Sequence, residues 1–203
     1  ISLRTCLFTY GRDITFKFVI NDVTTAVIHS AFILTHSVIR HYSLIPSVVL
    51  VSPNRPDLVT KLNTFIRNYR KVGYYDDMFL RWCQSDEYVP MPVIPEPDGS
   101  NGVIRIGTSG TEEPSSFVDD SGELVGFDIE FIRRFAQVNR LKPLISCRPD
   151  DEILDELAKG ELDIVIDDYN ANEVEKGVLM SDGYFDSDTK VLVRGGDAGG
   201  MML

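Results

Sequence analysis

The sequence predicts an α/β fold in which helices flank a mainly parallel sheet. Short runs rich in Val and Ile alternate with amphipathic segments of helical length, and strands separated by helices favour parallel pairing. One of these runs, Ser47–Val51, is almost wholly apolar, as is typical of a strand buried on both faces. Hydrophobic residues make up 43% of the chain and charged residues 25%, which are ordinary values for a folded globular protein.

The first part of the chain predicts two strands and three helices. Residues 14–20, with the sequence ITFKFVI, predict a strand, and Asp22 would then cap a helix that runs to about residue 32. Pro56 suits the first turn of the helix that follows the second strand. A short third helix is predicted for residues 74–82. The apolar stripe of the helix after Pro56 consists of Leu58, Leu62, Phe65, Ile66 and Tyr69.

Residues 85–101 separate this region from a second series of alternating elements. They contain four prolines and no helical stripe, which predicts a linker or an extended wrap over the surface. After a polar loop at 108–122, one helix is predicted near 127–139. Another is predicted from Asp150, whose charge favours a helix amino terminus, to Gly160. Strands are predicted at residues 103–107, 144–147, 162–166 and 190–193.

The net charge of −11 is concentrated in the second half of the chain. Residues 1–100 carry 10 Lys and Arg against 9 Asp and Glu, and residues 101–203 carry 10 against 22. Such acidity argues against a nucleic-acid partner or an anionic membrane surface, and solubility is its simplest explanation. No membrane span is predicted, because polar residues interrupt the most apolar stretch, 24–39. The chain begins at Ile1 without a visible signal peptide, so we expect a mature or shortened chain.

Neither the cysteines nor the histidines form a recognisable metal or redox motif. The cysteines are widely spaced without a CxxC pair, and at most two of them can form a disulfide. Histidines two helical turns apart are separated by about 10.8 Å along the axis, which is too far for one metal ion. No nucleophile elbow, P-loop or dinucleotide fingerprint is present, so neither an enzyme nor a cofactor is predicted. The residues concerned are Cys6, Cys83, Cys147, His29, His36 and His41.

Two polar segments at predicted strand ends are candidate binding sites. The first contains Thr108, Ser109 and Thr111, whose hydroxyl and backbone N–H groups can hold a polar ligand. The second contains Asp168 and Asn170, where carboxylates can receive an ammonium group or a metal. A plain polar turn and helix capping are the alternative interpretations. Paired carboxylates also occur in glycosidases, but that chemistry needs a carboxyl separation that sequence does not supply.

Ordered motifs in both halves of the chain carry a family resemblance. In the second half, DDSGELVGFD at residues 119–128 is followed by LAKGELDIVI at 157–166 and SDGYFDS at 181–187. Together they resemble the amino-terminal lobe of the bacterial extracellular solute-binding proteins of family 3, which are type II periplasmic binding proteins. The first half, through FVIND at 18–22 and GYYDDMFLRW at 73–82, is similar to the carboxyl-terminal part of the same family. The carboxyl-terminal segment therefore precedes the amino-terminal one, as in a tandem fragment or a circular permutant.

This resemblance implies a periplasmic-binding-protein-like fold of type II, with one lobe nearly complete and the second lobe partial. It also implies that the protein binds a small, polar, amino-acid-like solute in the periplasm for an ABC transporter permease or a sensor. The alternative is a non-catalytic regulatory module of a cell-wall lytic transglycosylase, and a dimer with exchanged segments is a further expectation. The implied domains are a carboxyl-terminal module part at 1–84, a linker at 85–101, an amino-terminal lobe at 102–194 and a flexible tail at 195–203.

The resemblance also assigns positions around the ligand. Asp22 falls where relatives hold the ligand's ammonium group, and the two polar segments named above fall on the lobe edge of the cleft. The arginine that clamps an amino-acid carboxylate would fall at Val174, and valine cannot form a bidentate bond to a carboxylate. The aromatic residue that stacks on the ligand would fall at Ser115. These two departures count against an ordinary α-amino acid as the ligand.

Overall fold

The chain divides into two compact units, which are described separately. One consists of Ile1–Ile45 together with Ser187–Leu203, and the other of Pro46–Asp186. The predicted helix cap Asp22, and the helix expected after it, lie outside the described residues. The computed structural model describes residues 4–9, 15–20, 37–41, 46–85, 90–172, 177–186 and 190–194.

The described part of the first unit consists of two antiparallel strand pairs. Strand β1 (Arg4–Thr9) pairs with β2 (Thr15–Ile20), and β2 corresponds to the strand predicted at 14–20. Strand β3 (Ser37–His41) pairs with β12 (Lys190–Arg194). The strand predicted at 190–193 is therefore present, but it pairs within this unit and not with the main sheet.

Five strands form the central sheet of the second unit. These strands are β4 (Ser47–Val51), β5 (Val103–Thr108), β9 (Lys142–Cys147), β10 (Ile164–Val165) and β11 (Leu179–Phe185). They lie in the order β11–β4–β10–β5–β9. Strands β9 and β10 pair with β5 in parallel, while β4 pairs antiparallel with both β10 and β11. All strands except β4 run in one direction, so the predicted mainly parallel α/β sheet is confirmed.

The polar loop predicted at 108–122 and the residues just after it contain strands that the sequence pattern did not predict. They are β6 (Thr111–Glu112), β7 (Ser116–Val118) and β8 (Leu124–Val125), and they form a small antiparallel sheet. Gly126 follows with a φ of 129°, and a Cβ at this position would collide with the carbonyl oxygen of Ser115. Only glycine fits here, because this backbone conformation and this close approach both exclude a side chain.

Helices cover both faces of the central sheet. They are α1 (Pro56–Lys71), α2 (Tyr74–Phe79), a π-helical turn (Leu80–Gln84), α3 (Phe127–Val138) and α4 (Asp150–Lys159). The predicted stripe of α1 is buried, and its Phe65 ring lies 5.2 Å from that of Phe131 in α3. Helix α4 buries Ile153 and Leu157 in a separate cluster with β4 and β10. The result is a layer of helices on each face of the sheet, as the alternating pattern predicts.

Strand β4 shows why an unbroken apolar run indicates burial on both faces. Val49 and Val51 pack in the same core cluster as α1 and α3, while Val48 and Leu50 pack in the cluster that contains α4. All four side chains are buried. Each contributes roughly 1.5–3 kcal/mol relative to an exposed position, so the central place of β4 is strongly specified.

A buried carboxylate joins α3 to the π-helical turn. Glu130 is fully buried, and its Oε2 accepts the indole N–H of Trp82 at 2.8 Å. The guanidinium groups of Arg81 and Arg134 donate to the same carboxylate at 2.8–3.0 Å. The carboxylate therefore has several charge-assisted partners, which is what a buried charge requires.

A second buried carboxylate joins the start of α1 to β5. The side chain of Asp163 accepts the backbone N–H of Arg105 at 2.8 Å and its guanidinium at 2.9 Å, and Arg55 lies 3.2 Å away. Burial opposes ionisation of this carboxyl, but the hydrogen bonds of Arg105 and the positive charges of Arg105 and Arg55 outweigh it. The pKa of Asp163 is therefore lowered.

The proline-containing segment runs over the surface in extended form. In the described residues 90–102 it forms no helix or strand, and Met91 packs against the main core. Residues 94–97 line a groove of about 400 Å³ opposite Arg133 and Ile145. In the part of the chain that the structure describes, no helix combines the length and apolarity that a membrane crossing requires.

Candidate functional site

The candidate site lies where two neighbouring parallel strands end. Strands β5 and β10 pair directly, with Ile164 opposite Ile106 and Val165 opposite Gly107. The two polar segments predicted from sequence follow these strands immediately. Because ligands of open α/β sheets bind beyond the carboxyl ends of the strands, this edge is the expected place for a solute.

Asp167 connects the two segments. Its carboxylate is buried, and Oδ2 accepts the backbone N–H of Ser109 at 2.8 Å across the two strand ends. Oδ1 lies 3.2 Å from the backbone nitrogen of Asp168, which donates to it. Asp167 is not among the site residues predicted from the sequence. Its position directly after a buried strand is the signal that indicates an inward-facing role.

Ser109 has a hydroxyl group that no described residue binds. The residue is partly exposed, yet its Oγ atom is buried and has no hydrogen-bond partner among the residues that the structure describes. An unpaired buried hydroxyl costs about 1–3 kcal/mol. Rotation of the side chain about χ1 breaks no hydrogen bond, so a hydrogen bond from this hydroxyl to a ligand lowers the free energy.

The two threonines of the first segment lie in different surroundings. Thr108 is fully buried, and its hydroxyl donates to the Oγ atom of Ser116 at 2.7 Å, which ties β5 to the small sheet. Thr111 is exposed on β6, opposite Phe117. The structure therefore commits the Thr108 hydroxyl to an internal contact and leaves that of Thr111 at the surface. Their predicted contact with a ligand stays a prediction.

The second segment is fastened to the start of β4. Asp168 is exposed, and its Oδ1 accepts the hydroxyl of Ser47 at 2.8 Å. Asn170 forms an isolated antiparallel bridge with Ser47, and its side-chain oxygen accepts the backbone N–H of Asn172. Residues 167–170, which we call the 167–170 loop, are thus held against β4. Sequence reasoning missed Ser47, because it starts an apolar run without a polar motif.

A buried tyrosine lies behind the 167–170 loop. The hydroxyl of Tyr184 donates to Oδ1 of Asp128 at 2.8 Å and lies 3.4 Å from the carbonyl oxygen of Asp167. Burial, and then the negative charge of Asp128, raise the pKa of Tyr184 well above its ordinary value. The tyrosine therefore remains neutral and donates a hydrogen bond to the carboxylate of Asp128, which links β11, α3 and the loop.

Two of the positions assigned by resemblance cannot be placed. Asp22 and Val174 lie outside the described residues. Ser115 is partly exposed in the turn before β7, and its carbonyl oxygen accepts the backbone N–H of Asp128 at 2.9 Å. Among the described residues, no group of three or more His, Cys, Asp or Glu side chains is arranged to hold a metal ion.

A comparison with known families identifies the segment that carries this edge. Residues 104–201 match the family model of the bacterial extracellular solute-binding proteins, family 3. The chain is therefore similar to that family over these residues. The matched residues include both polar segments and all but the first residue of the strands that precede them.

Curated relatives are similar in sequence to this chain over part of their length. The chain is 30% identical over 99 residues to the L-cystine-binding protein TcyJ of Escherichia coli, an alignment that covers 48% of this chain and 37% of the relative. The chain thus spans little more than a third of the curated relatives that it matches.

Two solved structures are also similar to part of the chain. The unliganded, open L-cystine solute receptor of Neisseria gonorrhoeae is 30% identical, with a TM-score of 0.32 over 33% of this chain and 28% of that one. An arginine-bound single-site mutant of domain 1 of TmArgBP is 22% identical, with a TM-score of 0.35 over 49% of this chain and 84% of that one.

Proposed function

We propose that the protein binds a small, polar, amino-acid-like solute in the periplasm and delivers it to an ABC transporter permease or a sensor. The solute would bind at the carboxyl ends of β5 and β10, against Ser109 and the 167–170 loop. The family of residues 104–201 supports this proposal, and L-cystine, named for the Escherichia coli relative, is the first solute to test. A second lobe that closes over the solute on a hinge would complete the site.

The unused hydroxyl of Ser109 is the observation that carries the proposal. A folded protein rarely leaves a buried hydroxyl without a partner, and such groups occur where a ligand supplies one. Ser109 also lies beside Asp167, which holds its backbone N–H. The segment therefore has a fixed backbone and a side chain that is free to turn, which together suit a ligand contact.

Thermal unfolding of Ser109→Ala tests this role. A ligand at about 100 times its dissociation constant stabilises a protein by about 2.7 kcal/mol, which raises the midpoint of a chain of this size by about 5–10 °C. We expect the variant to lose most of that shift, while its midpoint without ligand is equal to or higher than that of the unchanged protein. The higher midpoint follows because the substitution removes a hydroxyl that makes no bond.

Ser116→Ala is the matched control. Its hydroxyl is also buried but accepts a bond from Thr108, so the substitution should lower the midpoint without ligand and preserve the ligand-induced shift. Equal ligand shifts in Ser109→Ala and the unchanged protein would contradict the assignment of Ser109. No shift with L-cystine, other amino acids or small amines would contradict the proposed function. A shift with muropeptides alone would favour the regulatory module of a lytic transglycosylase.

A further inference from the structure

Ser47 is a polar residue at the start of an otherwise apolar strand. It is the first residue of β4, it is 1% exposed, and the four residues after it are Val, Val, Leu and Val. A buried hydroxyl needs a hydrogen-bond partner, and the partner of Ser47 is Oδ1 of Asp168 at 2.8 Å, 121 residues away along the chain. The single polar side chain of this strand is therefore directed at the 167–170 loop.

Backbone contacts on both sides of this bond reinforce it. Ser47 forms the isolated bridge with Asn170, and the N–H of Val48 donates to the carbonyl oxygen of Tyr169 at 2.8 Å. The loop is therefore attached to β4 by backbone contacts at two neighbouring positions. The hydroxyl of Ser47 adds a side-chain contact to the carboxylate of Asp168.

The other neighbour of Ser47 is the end of β11. Ser47 is paired with Phe185, one residue before the end of this unit at Asp186, and Pro46 is its first residue. The start of β4 and the end of β11 therefore lie side by side at the two ends of this unit. Ser47 contacts both the end of β11 and the 167–170 loop.

We propose that Ser47 is a positioning residue for the carboxylate of Asp168, an inference that rests on the function proposed above. Asp168 is exposed, and loss of the hydrogen bond from Ser47 would remove one restraint on the rotamer of its side chain. The hydroxyl of Ser47 holds one rotamer before the ligand arrives, which reduces the ordering that binding requires. Ser47 itself does not need to touch the ligand.

Residue-resolved hydrogen exchange of the full chain without ligand tests the structural part of this proposal. Ser47→Ala should accelerate exchange of the Val48 amide about tenfold, because the loop that supplies its acceptor loosens. Ser181→Ala is the matched control, since its buried hydroxyl accepts the N–H of Val49 at 3.0 Å and donates to the carbonyl oxygen of Asp182 at 2.7 Å. The control should accelerate exchange at Val49 and leave Val48 unchanged.

Binding of L-cystine tests the functional part. Ser47→Ala should raise the dissociation constant about tenfold, the loss expected for one hydrogen bond to a charged group, whereas Ser47→Thr, which keeps the hydroxyl, should restore it. Ser181→Ala should change it less than about twofold. In an Asp168→Ala background, the Ser47→Ala substitution should cause no further loss, because the group that it positions is absent.

The two measurements separate this proposal from the proposed function. If the unchanged protein does not bind L-cystine, that solute is wrong and hydrogen exchange alone decides the role of Ser47. Unchanged exchange at Val48 in Ser47→Ala overturns the proposal whatever the binding result. An equal loss of affinity with and without the Asp168 carboxylate also overturns it, because Ser47 would then act by another route.

Discussion

Replacement of Glu130 by glutamine should destabilise the unit Pro46–Asp186 strongly. The carboxylate is fully buried and accepts hydrogen bonds from Arg81, Trp82 and Arg134. Glutamine has the same shape but only one acceptor oxygen, and its NH₂ group would face N–H donors of the surrounding side chains. The substitution therefore removes both the charge and part of the hydrogen bonding at a site without access to water.

The loss of stability expected for Glu130→Gln depends on how exposed its two arginine partners are. Removal of one member of a buried ion pair costs about 3–5 kcal/mol, mainly because the remaining charge is left without a partner. The side chains of Arg81 and Arg134 are 21% and 19% exposed, so both guanidinium groups can turn towards water. We therefore expect the lower limit, about 3 kcal/mol, which corresponds to a fall of roughly 6–12 °C in the unfolding midpoint.

Urea and thermal unfolding measure this change, with circular dichroism as the global signal. Trp82 is the only tryptophan of the chain, so its fluorescence reports directly on the site of the substitution. Glu156→Gln is the control, because Glu156 is bound by Arg148 at 2.8 Å but is 23% exposed, and the loss of such a pair costs about 1 kcal/mol or less. Equal stability of the two variants would refute the reasoning that burial, and not pairing alone, sets the cost.

Two further substitutions test other features of the same unit. Gly126→Ala should lower the free energy of unfolding by more than about 3 kcal/mol, because the new Cβ collides with Ser115 and the backbone conformation is unfavourable for alanine. Gly122 has a φ of 84° but open space around it, so Gly122→Ala should lower it by only about 1–2 kcal/mol. Chemical denaturation measures both changes. The folded-state pKa of Asp163 lies below the ordinary 3.8, so its contribution to stability is complete above that pH and is lost as the pH falls through the lower folded value. Urea unfolding at several acidic pH values measures this contribution. The free energy of unfolding should depend less on pH in Asp163→Asn than in Asp155→Asn, because the ion pair of Asp155 is exposed. The same pH dependence in both variants would contradict this prediction.

The sequence predicted which helices and strands this fold contains better than it predicted which strands lie side by side. The apolar stripe of α1 and the unbroken run of β4 are signals of burial, and both elements are buried as predicted. Neither signal contains information about which strand lies alongside. The position of β4 between β10 and β11, with its antiparallel direction, depends on tertiary packing that a local pattern does not encode.

Short strands and buried charges were harder to predict than long elements. Strands β6 and β8 have two residues each, which is too few for an alternating pattern to be recognised. Glu130 lies in the first turn of α3, where an acidic residue is common at the surface. Its burial depends on the π-helical turn, whose Arg81 and Trp82 bind its carboxylate and which no local pattern around Glu130 encodes.

The candidate site was predicted in position but not in detail. Polar residues after two strands indicated the correct edge of the sheet, because parallel strands place their carboxyl ends together. The sequence did not distinguish the unused hydroxyl of Ser109 from the committed hydroxyl of Thr108, since both follow the same strand. It also did not indicate Ser47, whose partner is distant in the chain.

The insertion of β4 into the middle of the sheet has a consequence for biosynthesis. The N–H of Val49 meets its partner Ser181 only 132 residues later in the chain. At about 5–20 residues per second, a ribosome needs roughly 7–26 s to supply that partner. During this time the apolar faces of β4 and α1 lack the layers that later cover them, and such exposed apolar surface makes a nascent chain prone to aggregation. Contacts so distant in sequence also predict slow folding of the finished chain.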